Sequence, residues 1–328
     1  MRNPRFRQGA QEARAALAEA GRLARGSFSQ TLLLALSLGV APCLLRGLFF
    51  VNSQGALLSV WEGWLHTVLS GARPPEGLVS LLAITMRQSG MDSLMATLFD
   101  LLASLLAVPL LLAALALLYN GFARRDTEHS AMEAVRLAWG NRRNLVVAAL
   151  LCMLAEGVAQ IVPSMVTGFL TLLAEILSWI PVLGAVAGVL AVVLSIVISL
   201  LTDFAVTVAF CYVWICASCE GASGMEAMAR SWRLTRDAMG ATVFALAGLL
   251  LLKWAVYAIL GAVWLLAGRA LALPLPALVC SFYVIHGFYM AALGAVASAL
   301  YLRRPASGPS AGRYGNPAFG VIKSANID

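Results

Sequence analysis

The chain reads as an all-α protein: a polytopic membrane bundle of about six transmembrane helices, each needing roughly 20 apolar residues. They are expected as three repeats of an interfacial elbow helix followed by a helical hairpin. Three observations predict this. Hydrophobic residues make up 61% of the 328 positions and charged residues 12%, with a mean hydropathy of +0.85. An ordinary globular chain is about half apolar and about a quarter charged. Several apolar runs are long enough to cross a bilayer, and the short alternating segments of a membrane barrel are missing. Finally, one amphipathic motif recurs, each time just before an apolar run.

The clearest copy is Ser223 to Trp232, S-G-M-E-A-M-A-R-S-W, and Ser130 to Trp139 reads S-A-M-E-A-V-R-L-A-W. A fainter copy, Glu19-Ala20-Gly21-Arg22-Leu23-Ala24-Arg25-Gly26, parallels the stretch from Glu133 to Gly140. Ser130 with Glu133, and Ser223 with Glu226, have capping-box spacing: the Ser oxygen accepts from the backbone N–H three residues on, and the Glu reaches back. Glu in the first turn also suits the positive end of the helix dipole. Met132, Val135 and Trp139, like Met225, Met228 and Trp232, fall on one helix face. A short capped helix, basic and ending in Trp, fits the membrane interface better than packing on soluble protein.

Taken in order, residues 1–27 form a basic, Ala-rich cytoplasmic helix with Leu17, Ala20 and Ala24 on one face. A cleaved signal peptide fits less well, because the basic segment is long and the apolar run continues. Span one is expected at about 28–50, then two interfacial helices over 51–90, and span two over about 93–121. Span three runs from Asn144 to Pro163. Between Pro163 and Pro181, the apolar stretch Ser164 to Ile180 is open to three readings: re-entrant, interfacial or a further span. Val182 to Cys219 reads as one uninterrupted span, about 57 Å long at helix rise. That exceeds the roughly 30 Å core, so it must tilt or project. Span five follows at about 240–267 and span six at about 278–302, with a disordered tail over 305–328. The membrane domain is thus 28–304, with repeats at about 10–125, 126–219 and 220–304.

Charge placement orients the bundle. Of the 23 Lys and Arg, all but Arg46, Arg73, Arg87, Lys253 and Arg269 fall on the side holding the termini and the elbows. The positive-inside rule makes that side cytoplasmic and the span count even. The net charge of +7 then points to an anionic leaflet, with membrane lipids as partners and no nucleic acid. The six cysteines lie in or beside apolar runs, so no disulfide framework is implied. Cys216 and Cys219 form a C-x-x-C without a partner dithiol or His cluster nearby, which favours small packing residues over a metal or redox site.

Ionisable groups at membrane depth carry the remaining functional signal. From the cytoplasmic ends, Glu156 lies roughly 18 Å in, Lys253 roughly 20 Å, Asp203 roughly 22 Å and His286 roughly 24 Å. One polar layer is therefore expected, with Asp203 and Lys253 paired, and either fixing helix register or serving transport. No catalytic motif is present, neither a zinc-hydrolase H-E-x-x-H, a nucleophile elbow nor a phosphate-binding loop. The expectation is a non-enzymatic protein needing no cofactor and no metal, acting as a lipid-interacting or scaffolding module, with a small transporter or permease as the alternative.

Glu220-Gly221, Met225-Glu226-Ala227 and Arg230-Ser231-Trp232-Arg233-Leu234-Thr235-Arg236 together resemble a signature of bacterial membrane proteins. The family comprises the membrane domain that accompanies some glycerophosphodiester phosphodiesterases, and YciC-like membrane proteins. The copy at 130–139 keeps Glu133-Ala134 and Trp139 but has Leu137-Ala138 where the signature has Arg-Ser. The resemblance implies a module of the bacterial cytoplasmic membrane without the phosphodiesterase activity, whose motifs this chain lacks.

Overall fold

The computed structural model describes residues 4–40, 101–124, 130–177, 179, 181–264 and 275–303. The expected interfacial helices of 51–90, the end of span one, the start of span two and the C-terminal tail lie outside these residues. Among the described residues every regular element is a helix. In chain order they are α1 (Pro4–Gly26), α2 (Phe28–Val40) and a π-helical turn at Ala103–Ala107 leading into α3 (Val108–Arg124). Next come α4 (Ala131–Gly140), α5 (Arg142–Leu177), α6 (Pro181–Phe210) and α7 (Val213–Cys219). The last are α8 (Gly224–Asp237), α9 (Met239–Val263) and α10 (Leu275–Leu302). Five helices are long and apolar enough to cross a membrane: Ser104–Ala123, Arg142–Leu177, Val186–Cys219, Met239–Val263 and Cys280–Leu302. This is the architecture of an integral membrane protein.

The three recurrences of the motif correspond to α1, α4 and α8. Each is separated from the apolar helix that follows by one residue: Ser27, Asn141 and Ala238. Apart from Leu23 of α1, the side that each of these helices buries consists of small residues. They are Ala13, Ala16 and Ala20 in α1, Ala131, Ala134 and Ala138 in α4, and Gly224, Ala227, Ser231 and Thr235 in α8. Small side chains let backbones approach closely, which is how helices associate where no water drives them together. A methyl added to Gly9 would sit 3.2 Å from the backbone of Gly240. Of Leu17, Ala20 and Ala24, expected on one face of α1, Ala20 is buried and Leu17 exposed.

Packing follows from this. Helix α1 lies against α9 and α10, so the two ends of the chain meet; α4 lies on α3, and α8 lies on α5, α6 and α7. The buried core is densest where α3 crosses α7 and α10, with Leu115, Tyr119, Tyr212, Val213 and Val296 fully enclosed. Helices α2 and α10 touch at backbone distance, because a Cβ on Gly39 would lie 2.6 Å from the Tyr283 carbonyl oxygen.

Two expectations about the long spans change. The stretch after Pro163 belongs to the span helix itself, since α5 continues through that proline for 36 residues. That is about 54 Å at helix rise. Proline removes one backbone donor, and α6 packs against the helix that contains it. Conversely, 182–219 is not one helix. It breaks at Cys211–Tyr212 into α6 and α7, with no proline or glycine at the break.

The α2–α10 contact yields a test. Gly287→Ala places its methyl on the Ala35 carbonyl oxygen and the Gly39 backbone. Thermal unfolding in detergent is expected to show a loss of about 1–3 kcal/mol, typical of overpacking. Gly248→Ala, which meets nothing within 4 Å, is expected to be neutral or slightly stabilising.

Candidate functional site

The elbow helices are the first candidate. Ser130 has extended backbone (φ −69°, ψ 156°), and its hydroxyl accepts from the Glu133 N–H at 3.2 Å. Ser223 has the same backbone shape (φ −62°, ψ 158°) but makes no cap hydrogen bond with its side chain. There the expected capping box is absent, and Glu226 turns along its own helix to accept from Arg230 at 2.6 Å. With the small residues facing inward, the large apolar ones face out. Met132 is 78% exposed and Met225 71%, Trp139 51% and Trp232 52%. The guanidinium of Arg142 lies over the Trp139 ring, 5.6 Å from its centroid. Arg136, Arg143, Arg233 and Arg236 are also exposed around these two elbows.

On its inner side α8 holds the break between α6 and α7. A helix that breaks leaves carbonyls unbonded, and in an apolar setting each needs a partner. The Thr235 hydroxyl donates to the Val208 carbonyl at 3.0 Å and lies 3.4 Å from that of Ala209. The Ser231 hydroxyl donates to Ala209 at 3.0 Å and accepts from the Tyr212 N–H at 3.3 Å. Tyr212 in turn shares a 2.9 Å hydrogen bond with Thr242 of α9.

A second set of bonds ties the ends of three helices. Arg230 donates to Glu220 at 2.5 Å as well as to Glu226, and the Tyr301 hydroxyl donates to the other oxygen of Glu220 at 2.5 Å. Burial disfavours the Arg230 charge, but the bonds and charges of Glu220 and Glu226 more than offset this and hold the guanidinium above its ordinary value. Gly221 beside them takes φ +65°, a left-handed turn that suits glycine. The residues of the E-G…E-A…R-S-W-x-L-T-R pattern are thus mostly structural here, while Glu226, Trp232, Arg233 and Arg236 face outward.

The polar layer is the second candidate. Gln160 of α5 donates to Asp203 of α6 at 2.5 Å. Asp203 is within electrostatic reach of Glu156 and of Lys253. No direct ion pair joins Asp203 to Lys253, contrary to the expected pairing. The lysine lies instead over Tyr289, 4.6 Å from the ring centroid, and 5.5 Å from that of Tyr257. Aromatic faces attract a cation and shield it from the apolar surroundings. His286 stacks beside the same Tyr289 at 6.0 Å, and Tyr257 donates to the Phe282 carbonyl at 3.2 Å. Glu156, Asp203, Lys253 and His286 therefore fall in one layer, linked through Gln160 and Tyr289. Sequence depth alone did not single out those two neutral residues, because amides and tyrosines are common in spans.

Among the described residues no group of His, Cys, Asp and Glu is arranged to hold a metal. Cys216 is buried and Cys219 half-buried, and neither is in a disulfide. No family model, curated protein or solved structure matches the chain.

Thr235→Val keeps the shape of the elbow but removes the donor to Val208. It is expected to cost about 1–3 kcal/mol, the penalty for an unsatisfied buried carbonyl. Trp232→Phe, on the outward face, is expected to leave the melting temperature in detergent within error.

Proposed function

We propose that this protein is a non-enzymatic module of the bacterial cytoplasmic membrane, both termini inside, that grips the cytoplasmic leaflet with a collar of three elbow helices. The observation that carries the reading is the outward display of Met132, Trp139, Met225 and Trp232 on helices whose small faces are packed away. Exposed methionine and tryptophan rimmed by arginine is the composition of a helix lying among headgroups and acyl chains. Arg136, Arg142, Arg143, Arg233 and Arg236 supply the attraction to anionic lipid. The recurrence of motif helix, single linking residue and apolar helix supports an internal repeat. Membership in the membrane-domain family of the glycerophosphodiester phosphodiesterases is part of the proposal. Most of the residues behind that resemblance have work in the fold, which supports reading them as a family signature.

Tryptophan quenching tests the collar. In variants retaining only Trp139 or only Trp232, reconstituted in vesicles, a quencher carried high on the acyl chain should reduce emission severalfold, and aqueous iodide should do little. Strong iodide quenching with no effect of the lipid quencher would place the elbows in water and defeat the reading.

The second reading, a small permease, is favoured by the Gln160–Asp203 bond and by Lys253 held over Tyr289 at bilayer depth. Asp203→Cys, Lys253→Cys and His286→Cys, each as the only cysteine, should react with a small hydrophilic maleimide if water reaches the layer. Three unreactive positions would leave the scaffold reading alone.

A further inference from the structure

Above the Gln160–Asp203 bond, on the side away from the elbows, helices α5 and α6 part around a cleft of about 640 Å³. Its walls are Ser164, Thr167, Gly168, Thr171 and Leu172 of α5, with Ser199 of α6. Ser164 lies one turn beyond Gln160 on the same helix face, and Ser199 lies one turn beyond Asp203. The floor of the cleft is therefore about 6 Å from the carboxylate, at helix rise. A methyl on Gly168 would meet no atom within 4 Å, so the middle of the cleft is open. Phe169 and Val162, on the outward face of the same helix, are exposed and apolar. The hydroxyls thus line one side of the hairpin, and the line runs from Thr171 down to Asp203.

The charges at the bottom do not balance. Glu156 and Asp203 are two carboxylates, and among the described residues Lys253 is the ammonium within reach of Asp203, with His286 beyond it against Tyr289. A net negative charge at bilayer depth is expensive unless a cation joins it. Neutral hydroxyl oxygens above a carboxylate suit a small hard cation shedding its water, and they repel nothing on the way in.

We infer that the Ser164–Ser199 cleft is an aqueous half-channel, entered from the membrane face opposite the elbows, that delivers a monovalent cation, a proton or sodium, to Asp203 and Glu156. This rests on the permease reading and adds to it a route, a side and a ligand class.

The test uses the full chain in native membrane vesicles, with its own cysteines replaced by Ala or Ser. Ser164→Cys, Thr167→Cys and Ser199→Cys are labelled with a membrane-impermeant maleimide from each side. Phe169→Cys and Val162→Cys serve as lipid-facing controls. Cleft positions should react at least tenfold faster than the controls, and only from the face opposite Trp139→Cys. Cation uptake is read separately on the unmutated chain, as the rate at which a hydrophobic carbodiimide modifies Asp203 and Glu156, followed by mass spectrometry. Slowing by sodium at fixed pH identifies sodium. Indifference to sodium, with a rate that falls as pH rises, identifies the proton. Cleft positions no more reactive than the controls, or carboxylates unmodified at every pH, would overturn the inference. If the cleft is inert while Lys253→Cys reacts from the elbow side, the permease reading survives with a different entrance. If 203, 253 and 286 are all inert, that reading falls too.

Discussion

Close approach of helix backbones through small residues is the constraint on which this fold rests. In a bilayer, apolar side chains gain nothing by leaving lipid for one another, so association depends on fit and on polar satisfaction. Each elbow helix meets this by turning alanine, glycine, serine or threonine inward. The consequence for function is geometric. Once the small face is spent on packing, Met132, Trp139, Met225 and Trp232 have only the outside left to occupy. Their outward display is a by-product of how the bundle holds itself together.

The third elbow, α8, combines that packing with hydrogen bonding. Ser231 and Thr235 are small enough for the packed face and polar enough to serve the carbonyls freed where α6 breaks. The break redirects the chain into α7, whose end carries Glu220, and Glu220 joins Arg230 to Tyr301. Elbow, broken span and final helix are thereby fastened at one level. Elbow α4 carries alanines at its packed positions, and there the side chain of Asn141, in the linker, reaches the Ala217 carbonyl instead.

The polar layer obeys a different logic. A lysine at bilayer depth can be stabilised by a carboxylate or by aromatic faces. Here Tyr289 and Tyr257 take the ammonium, which leaves Asp203 to Gln160 and to whatever arrives from above. The α5–α6 hairpin therefore buries little of its surface and carries two mid-span carboxylates.

Much of this was legible in the residues. Composition and run length pointed to an all-helical membrane protein, because in lipid the polar backbone must be paired within helices or a closed barrel, and the alternating segments of a barrel are missing. The motif copies placed three amphipathic helices, since Met and Trp at helical spacing need no tertiary context to be recognised. The residues of the polar layer followed from depth counted along straight helices. Tertiary structure decided the rest. The break at Cys211–Tyr212 has no local signal, because it is stabilised by hydroxyls some twenty positions away. Helix α5 continues through Pro163 with α6 packed against it. Lys253 turned to Tyr289 and away from Asp203 because rotamers and helix rotation, which depth cannot supply, determine which partner a side chain reaches. Sequence by itself settled which segments are helices and which of them the membrane must hold. Only packing settled which face each one shows, because that choice is made between helices and not within one.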